Sequence, residues 1–230
     1  MLILFDIDMT LLTTDGAGMA ALGEAGRELF GSGFDETRTD YGGRLDPVII
    51  TNLLIANGQD VTLANCTAMR AGYRKHLEKQ LASRTPRALP GVYTLVGRLS
   101  ERSDLTLGLL TGNFQETGLM KLASSGLDAE PFVLNVWGDE SPHTPPQREH
   151  LPAVAIERYR AWRDADLQPE RVVIIGDTVH DVSCAIANGC RVLGVATGHA
   201  TADQLSAAGA HKVLPDLSNT MEVLAWLKLN

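Results

Sequence analysis

Four runs of consecutive apolar residues limit what this chain can fold into: "LILF" (2–5), "LTLGLL" (105–110), "RVVIIG" (171–176) and "RVLGVA" (191–196). A strand with one wet face alternates apolar and polar residues, whereas a strand covered on both faces of a parallel sheet reads as a continuous run. A weaker run, "HKVLP", follows at 211–215. Helical patterns separate these runs: "QETGLMKLASSGL" after the second, "LPAVAIERYRAWRDA" before the third, "DVSCAIANG" ending at Gly189, and "NTMEVLAWLKLN" last. Strands alternating with helices of this length predict an α/β fold with a doubly wound parallel sheet.

Residues 14–87 break the alternation. "GMAALGEAGRELF" has helical spacing, and "LDPVIITNLLIANG" offers Asp46 as a cap, Pro47 at the first helical position and Gly58 as a stop. A third pattern spaces Leu63, Cys66, Met69 or Arg70, Tyr73, Leu77 and Leu81 three or four apart. No strand pattern interrupts them. The expected organisation is an α/β core formed by 1–13 and 88–230, with an all-helical insertion at 14–87. The seams "TTDGAG" and "SRTPRALPG" are rich in turn formers.

The chemistry gathers where the apolar runs stop. Ligands of an open parallel sheet bind beyond the carboxyl ends of its strands. After the first run come Asp6, Asp8 and Thr10; after the second, Thr111, Gly112 and Asn113; after the third, Asp177, Thr178 and Asp181. Asp6, Asp8 and Asp177 make a hard-oxygen set suited to Mg²⁺, which takes a few carboxylates and substrate phosphate oxygen. Without a cation, converging carboxylates repel and one must take up a proton. The Thr111 hydroxyl and the backbone N–H groups around Gly112 and Asn113 suit phosphate oxygens near a helix start.

Overall composition excludes other classes. A formal net charge of −8 argues against an extended nucleic-acid surface, which needs massed Lys and Arg. No apolar run approaches membrane-spanning length, and "MLILF" is too short for a secretory core, so a soluble, cytoplasmic protein is expected. Cys66, Cys184 and Cys190 show no metal-like spacing and read as small buried hydrophobes in a reducing compartment. Trp137, Trp162 and Trp226 read as packing residues, and His143, His150 and His180 as rim residues of the proposed mouth.

These motifs resemble the haloacid dehalogenase superfamily, in its phosphatase branch similar to phosphoglycolate phosphatase and β-phosphoglucomutase. "DIDMT" matches the DxDxT motif, "LLTGN" the second motif's strand-end Ser or Thr, and "IGDTVHD" the GDxxxD motif; "YGGRLD" resembles a Gly-Arg-Thr-Asp pattern of family caps. The resemblance implies that Asp6 is the nucleophile and that Asp8 protonates the leaving oxygen, then activates water. It implies Mg²⁺ held by Asp6, the Asp8 main-chain carbonyl and Asp177, with Asp181 completing or orienting that shell. The helical insertion would be the cap. The family's third motif is a Lys or Arg: Arg148 is the first choice, Lys121 the second and Arg158 the third. Thr10, Gly112, Asn113, Lys121 and the cap residue Arg44 are the expected substrate contacts. Met9 stands where Gly or Asn is usual, and Leu45 replaces the cap Thr.

The resulting expectation is a Mg²⁺-dependent phosphatase of a small phosphorylated metabolite, working through an aspartyl-phosphate. Alternatives are a phosphomutase of the same fold and a phosphate-binding protein without turnover. Dehalogenation by an Asp needs neither a metal nor a second acid. No GxGxxG follows the first strand, which removes the main support for a dinucleotide site.

Overall fold

A computed structural model describes residues 1–229. Five strands, β1 (Leu2–Phe5), β4 (Thr106–Leu109), β5 (Val172–Gly176), β6 (Arg191–Val195) and β7 (Lys212–Leu214), form one parallel sheet in the order β4-β1-β5-β6-β7. The sheet is doubly wound, as the uninterrupted apolar runs require. Successive side chains of each strand go to opposite faces. Ile3, Phe5, Val173 and Ile175 meet α4 (Val92–Ser100) and α9 (Thr220–Leu227); Leu2, Leu4, Val172 and Ile174 meet α6 (Leu151–Arg163) and α7 (Val179–Ala187). All four residues of β1 are buried, worth on the order of 8 kcal/mol of transfer free energy. That burial makes β1 a rigid mount for the residue that follows it.

Register brings three strand ends level. Phe5 pairs with Leu109 on one side and Ile175 on the other, and Gly176 pairs with Gly194. The chain leaves β1 for β4 on one side and returns to β5 on the other. The order therefore reverses between β1 and β5, where such sheets open a crevice.

Between β1 and β4 lie β2 (Leu12–Thr13), α1 (Ala17–Phe30), α2 (Asp46–Ala56), α3 (Leu63–Ala82) and β3 (Arg87–Ala88). The three helices share a cluster of their own, with Leu22, Ile50, Leu53, Met69, Tyr73 and Leu77 buried in it. β2 and β3 pair antiparallel, Leu12 with Ala88 and Thr13 with Arg87. This ribbon was invisible to pattern reading because two residues show no period.

Four local expectations are corrected. Asp46 does not cap α2: it is that helix's first residue, Leu45 is the cap and Pro47 comes second, so the Asp46 side chain is free for another partner. Leu63 lies at the start of α3 and is 86 % exposed, outside the packed stripe. Trp162 is exposed, with the Arg163 guanidinium 4.1 Å over its ring, whereas Trp137 is buried and Trp226 half-buried beneath Arg191. Cys184 and Cys190 are buried, Cys66 only half so, and none forms a disulfide. No helix among the described residues is long and apolar enough to cross a membrane.

Candidate active site

Asp6 directly continues β1, its N–H still donating to the Ile175 carbonyl at 3.0 Å. Asp177 directly follows β5, and both carboxylates are buried at the reversal point. Asp181, fully buried, sits in the first turn of α7 and makes a capping box with Thr178. One oxygen from each of Asp6, Asp177 and Asp181 lies within 4.8 Å of the others. Asp181 does two things at once: Oδ2 accepts from the Thr178 N–H at the start of its helix, and the carboxylate is presented to the cluster.

Arg148 is the cation of this cluster. Its Nη2 lies 3.0 Å from Asp6 Oδ1 and also bonds Asp181 Oδ1, while Nη1 donates to the Gly43 carbonyl at 3.1 Å. Burial alone would disfavour its charge, but Asp181 and Asp6 outweigh that and hold it protonated. One cation does not balance three acids. Burial pushes Asp6 up to about 6 against the pull of Arg148, with Asp181 and Asp8 adding to the rise. Asp177 is raised well above the carboxylate range by burial, then by Asp181 and Asp6. An all-carboxylate donor set carrying surplus negative charge fits a hard divalent cation, which would offset both the burial of the charges and their mutual repulsion.

Asp8 belongs to a second network. Its Oδ2 accepts from Asn113 Nδ2 at 2.9 Å and from Lys121 Nζ at 2.7 Å. The Asp8 carboxylate is therefore not one of the three clustered acids, and Oδ1 has no partner among the described residues. Lys121, on α5 (Gln115–Ser124), also donates to Asn113 Oδ1 at 2.6 Å, and Asn113 Nδ2 reaches Thr111 Oγ1 at 2.8 Å. Burial opposes the Lys121 charge, but Asp8, backed by Tyr73 and Asp46, more than restores it.

Four expected positions fall differently. Thr10 is buried and donates to Asp177 Oδ1 at 3.1 Å, and it does not line the cavity, so it orients an acid rather than facing substrate. Arg158 pairs with Glu140 at 2.7 Å, away from the cavity, because it lies more than a turn along α6. His143 and His150 also lie off the cavity wall, their rings edge to face with centroids 4.5 Å apart and His150 bonded to Ser141. His180 does line it.

The cavity measures about 690 Å³. Asp6, Asp8, Thr111, Gly112, Asn113, Lys121, Arg148 and Asp177 form its floor, and Arg44, paired with Asp40 at 3.3 Å, stands on the wall given by the helical insertion. Gly112 is required there: a Cβ would come 2.1 Å from the Arg44 carbonyl oxygen.

A fourth strand end escaped the sequence reading. In the loop after β6, Thr197 Oγ1 donates to the Met9 carbonyl, and His199 lines the cavity. Gly198 lies flat on Asp177, where a Cβ would sit 1.8 Å from Oδ2. Met9 has φ 58°, which explains why a Gly or Asn is usual there. The signal was present: "RVLGVA" is followed by Thr and Gly, the same small, hydroxyl-bearing punctuation that ends the other runs.

The fold resembles solved hydrolases over nearly its whole length. A hydrolase from Pseudomonas syringae superposes with a TM-score of 0.71 at 19 % identity, covering 99 % of each chain. CbbY from Rhodobacter sphaeroides, solved in complex with phosphate, superposes with a TM-score of 0.71 at 23 % identity, covering 95 % of each. Likeness at such identity establishes the fold. In sequence, phosphoglycolate phosphatase from Chromobacterium violaceum is 30 % identical over 135 residues, which is 59 % of this chain and 54 % of the relative. The match thus spans about half of that relative's length. The sequence profile described as "Haloacid dehalogenase-like hydrolase" matches residues 3–195, which include the strand ends at Asp6, Thr111 and Asp177. The chain belongs to the haloacid dehalogenase-like hydrolase family.

Proposed function

We propose that this chain is a Mg²⁺-dependent phosphatase of a small phosphorylated metabolite, acting in the cytoplasm through a phosphoryl group carried on Asp6. The observation that carries the reading is the convergence of Asp6, Asp177 and Asp181 on one point beside Arg148, on the floor of a cavity that also holds Asp8. Asp6, the Asp8 main-chain carbonyl and Asp177 would hold the cation, with Asp181 orienting the shell. When bound, the cation neutralises charge on the transferring phosphoryl group.

The chain's own residues supply the rest. An Asp6 oxygen attacks phosphorus, forming an acyl phosphate as the bond from phosphorus to the ester oxygen breaks. Asp8 gives its proton to that departing oxygen and leaves as a carboxylate. A water then attacks phosphorus, Asp8 takes the water's proton, and the bond to Asp6 breaks to release inorganic phosphate. Arg148 holds Asp6 Oδ1, fixing the carboxylate plane. The Thr111 hydroxyl and the turn at Gly112 and Asn113 receive the non-reacting phosphate oxygens. The helical insertion is the cap, and its wall over the cavity excludes bulk water and selects the leaving group.

The test is phosphate release from p-nitrophenyl phosphate, then from a panel including phosphoglycolate, xylulose 1,5-bisphosphate, hexose phosphates and nucleoside monophosphates. Turnover should require Mg²⁺ and vanish in Asp6→Asn. Unchanged release in that variant would remove Asp6 as the nucleophile. Isomerisation of a hexose 1-phosphate without net phosphate release would mark a phosphomutase instead.

A further inference from the structure

Asp46 belongs to the helical insertion, yet its N–H and its side chain bond the core. Its N–H donates to the Gly112 carbonyl at 2.7 Å. Its Oδ2 accepts from the Phe114 N–H at 2.9 Å and lies 3.2 Å from Thr117 Oγ1, whose one proton it shares with the Phe114 carbonyl at 3.1 Å. Phe114 is the residue at the cap of α5, and its own side chain makes no capping bond. The cap that α5 lacks locally is therefore delivered from 68 residues away. All the participants are buried: Asp46 is 6 % exposed, Phe114 3 % and Thr117 0 %.

This geometry closes around the Thr111–Gly112–Asn113 turn. Asp46 grips the carbonyl in the middle of the turn and the N–H just after it. The same turn carries the Thr111 hydroxyl and the Asn113 carboxamide that reaches Asp8 and Lys121. We propose that Asp46 is a positioning residue, which pins the turn that lines the cavity and so couples the docked helical insertion to the geometry of Thr111, Asn113 and Asp8. Asp46 lines the cavity but makes no hydrogen bond to the acidic cluster; its side-chain bonds go to Phe114 and Thr117, and it acts through the turn. The effect expected on turnover rests on the phosphatase reading, whereas the ordering of the turn stands without it.

Three variants of the full chain test this: Asp46→Ala, Asp46→Asn and Thr117→Val. Three readouts are taken on each: hydrogen exchange of the Phe114 amide, affinity for inorganic phosphate with Mg²⁺ present, and kcat and KM with p-nitrophenyl phosphate. Asp46→Ala should speed Phe114 exchange and weaken phosphate binding by about tenfold each, the size of one or two lost hydrogen bonds. Its kcat should fall by a larger factor than KM changes. Asp46→Asn should recover most of each loss, because its carboxamide oxygen accepts the same two bonds. Wild-type exchange and phosphate affinity in Asp46→Ala would overturn the proposal, and so would an Asn variant as impaired as Ala. Should Asp46→Ala not fold, Thr117→Val decides: faster Phe114 exchange with weaker phosphate binding supports the proposal, and no change in either overturns it. If the wild-type chain turns over no phosphate ester, the phosphatase reading fails, while exchange and phosphate binding still decide the role of Asp46.

Discussion

Lys121 Nζ lies 2.7 Å from Asp8 Oδ2, and the two residues are 113 positions apart in the chain. The contact ties the second acid of the first strand end to the helix that follows the second. Lys121 is buried, whereas the Asp8 side chain is 40 % exposed. The ammonium therefore depends on the pair more than the carboxylate does. Lys121→Met should lower kcat by about 10- to 100-fold, because Asp8 loses the partner that aims it. Stability should fall by only about 1 kcal/mol, since Asp8 keeps access to water. Steady-state kinetics and urea unfolding on the same preparation check both, and full activity would exclude a role for the pair.

Arg148 presents the opposite balance, because both of its carboxylate partners are buried with it. Removing it strands two buried charges. Arg148→Met should cost about 3–5 kcal/mol of stability in the absence of a divalent cation. Arg148→Lys should restore little, since one ammonium cannot reproduce a guanidinium shared between Asp6, Asp181 and the Gly43 carbonyl. Denaturant midpoints with a chelator present are the measurement; a Lys variant as stable as wild type would contradict it.

The pH dependence follows from Asp6. Its folded value, about 6, lies above the ordinary carboxylate value of 3.8. Its contribution is therefore fully present below pH 3.8 and is lost as pH rises through about 6. Metal-free protein should lose stability relative to Asp6→Asn over that interval, by up to about 3 kcal/mol. Added Mg²⁺ should raise the wild-type melting temperature more at pH 7.5 than at pH 5. Melts with chelator and with Mg²⁺ at both pH values read this directly, and an equal Mg²⁺ effect at the two would contradict it.

Gly198→Ala tests the fourth strand end. Its new methyl group would meet Asp177 Oδ2 and push the carboxylate aside. The loop is half-buried, so the fold should survive with a loss of about 1 kcal/mol. Mg²⁺ affinity by calorimetry should drop about tenfold or more. Thr10→Val, which releases Asp177 Oδ1, should weaken it in the same direction. Unaltered Mg²⁺ binding in both would separate Asp177 from the cation.

The legible part of this molecule was the part governed by period and by strand ends. Continuous apolar runs marked all the strands of the parallel sheet, and Asp6 and Asp177 stood out because a buried strand has no reason to end in acid. Arg148 was reachable from the resemblance, by its place before α6. What pattern reading missed was set by contacts across the chain. Asp46 looks like the cap of its own helix, and only the approach of α5 makes it the cap of another. Lys121 was legible as a candidate cation and substrate contact, but its pairing with Asp8 was not, because its burial depends on how α5 lies over the first strand end. Gly198 is one glycine among 22, and its use emerges only when Asp177 is beneath it.

The ribbon of Leu12–Thr13 against Arg87–Ala88 brings the two ends of the inserted helices to one strand spacing, about 4.8 Å. A two-residue turn spans that gap, so the path of the chain through the sheet does not depend on what lies between Thr13 and Arg87, even though Gly43, Arg44 and Asp46 touch the site. The position behaves as a socket: excising 14–86 and joining Thr13 to Arg87 through Asn-Gly should leave the five-stranded sheet in register by hydrogen exchange, while Arg148 and the Gly112 turn lose the holds that Gly43 and Asp46 supply.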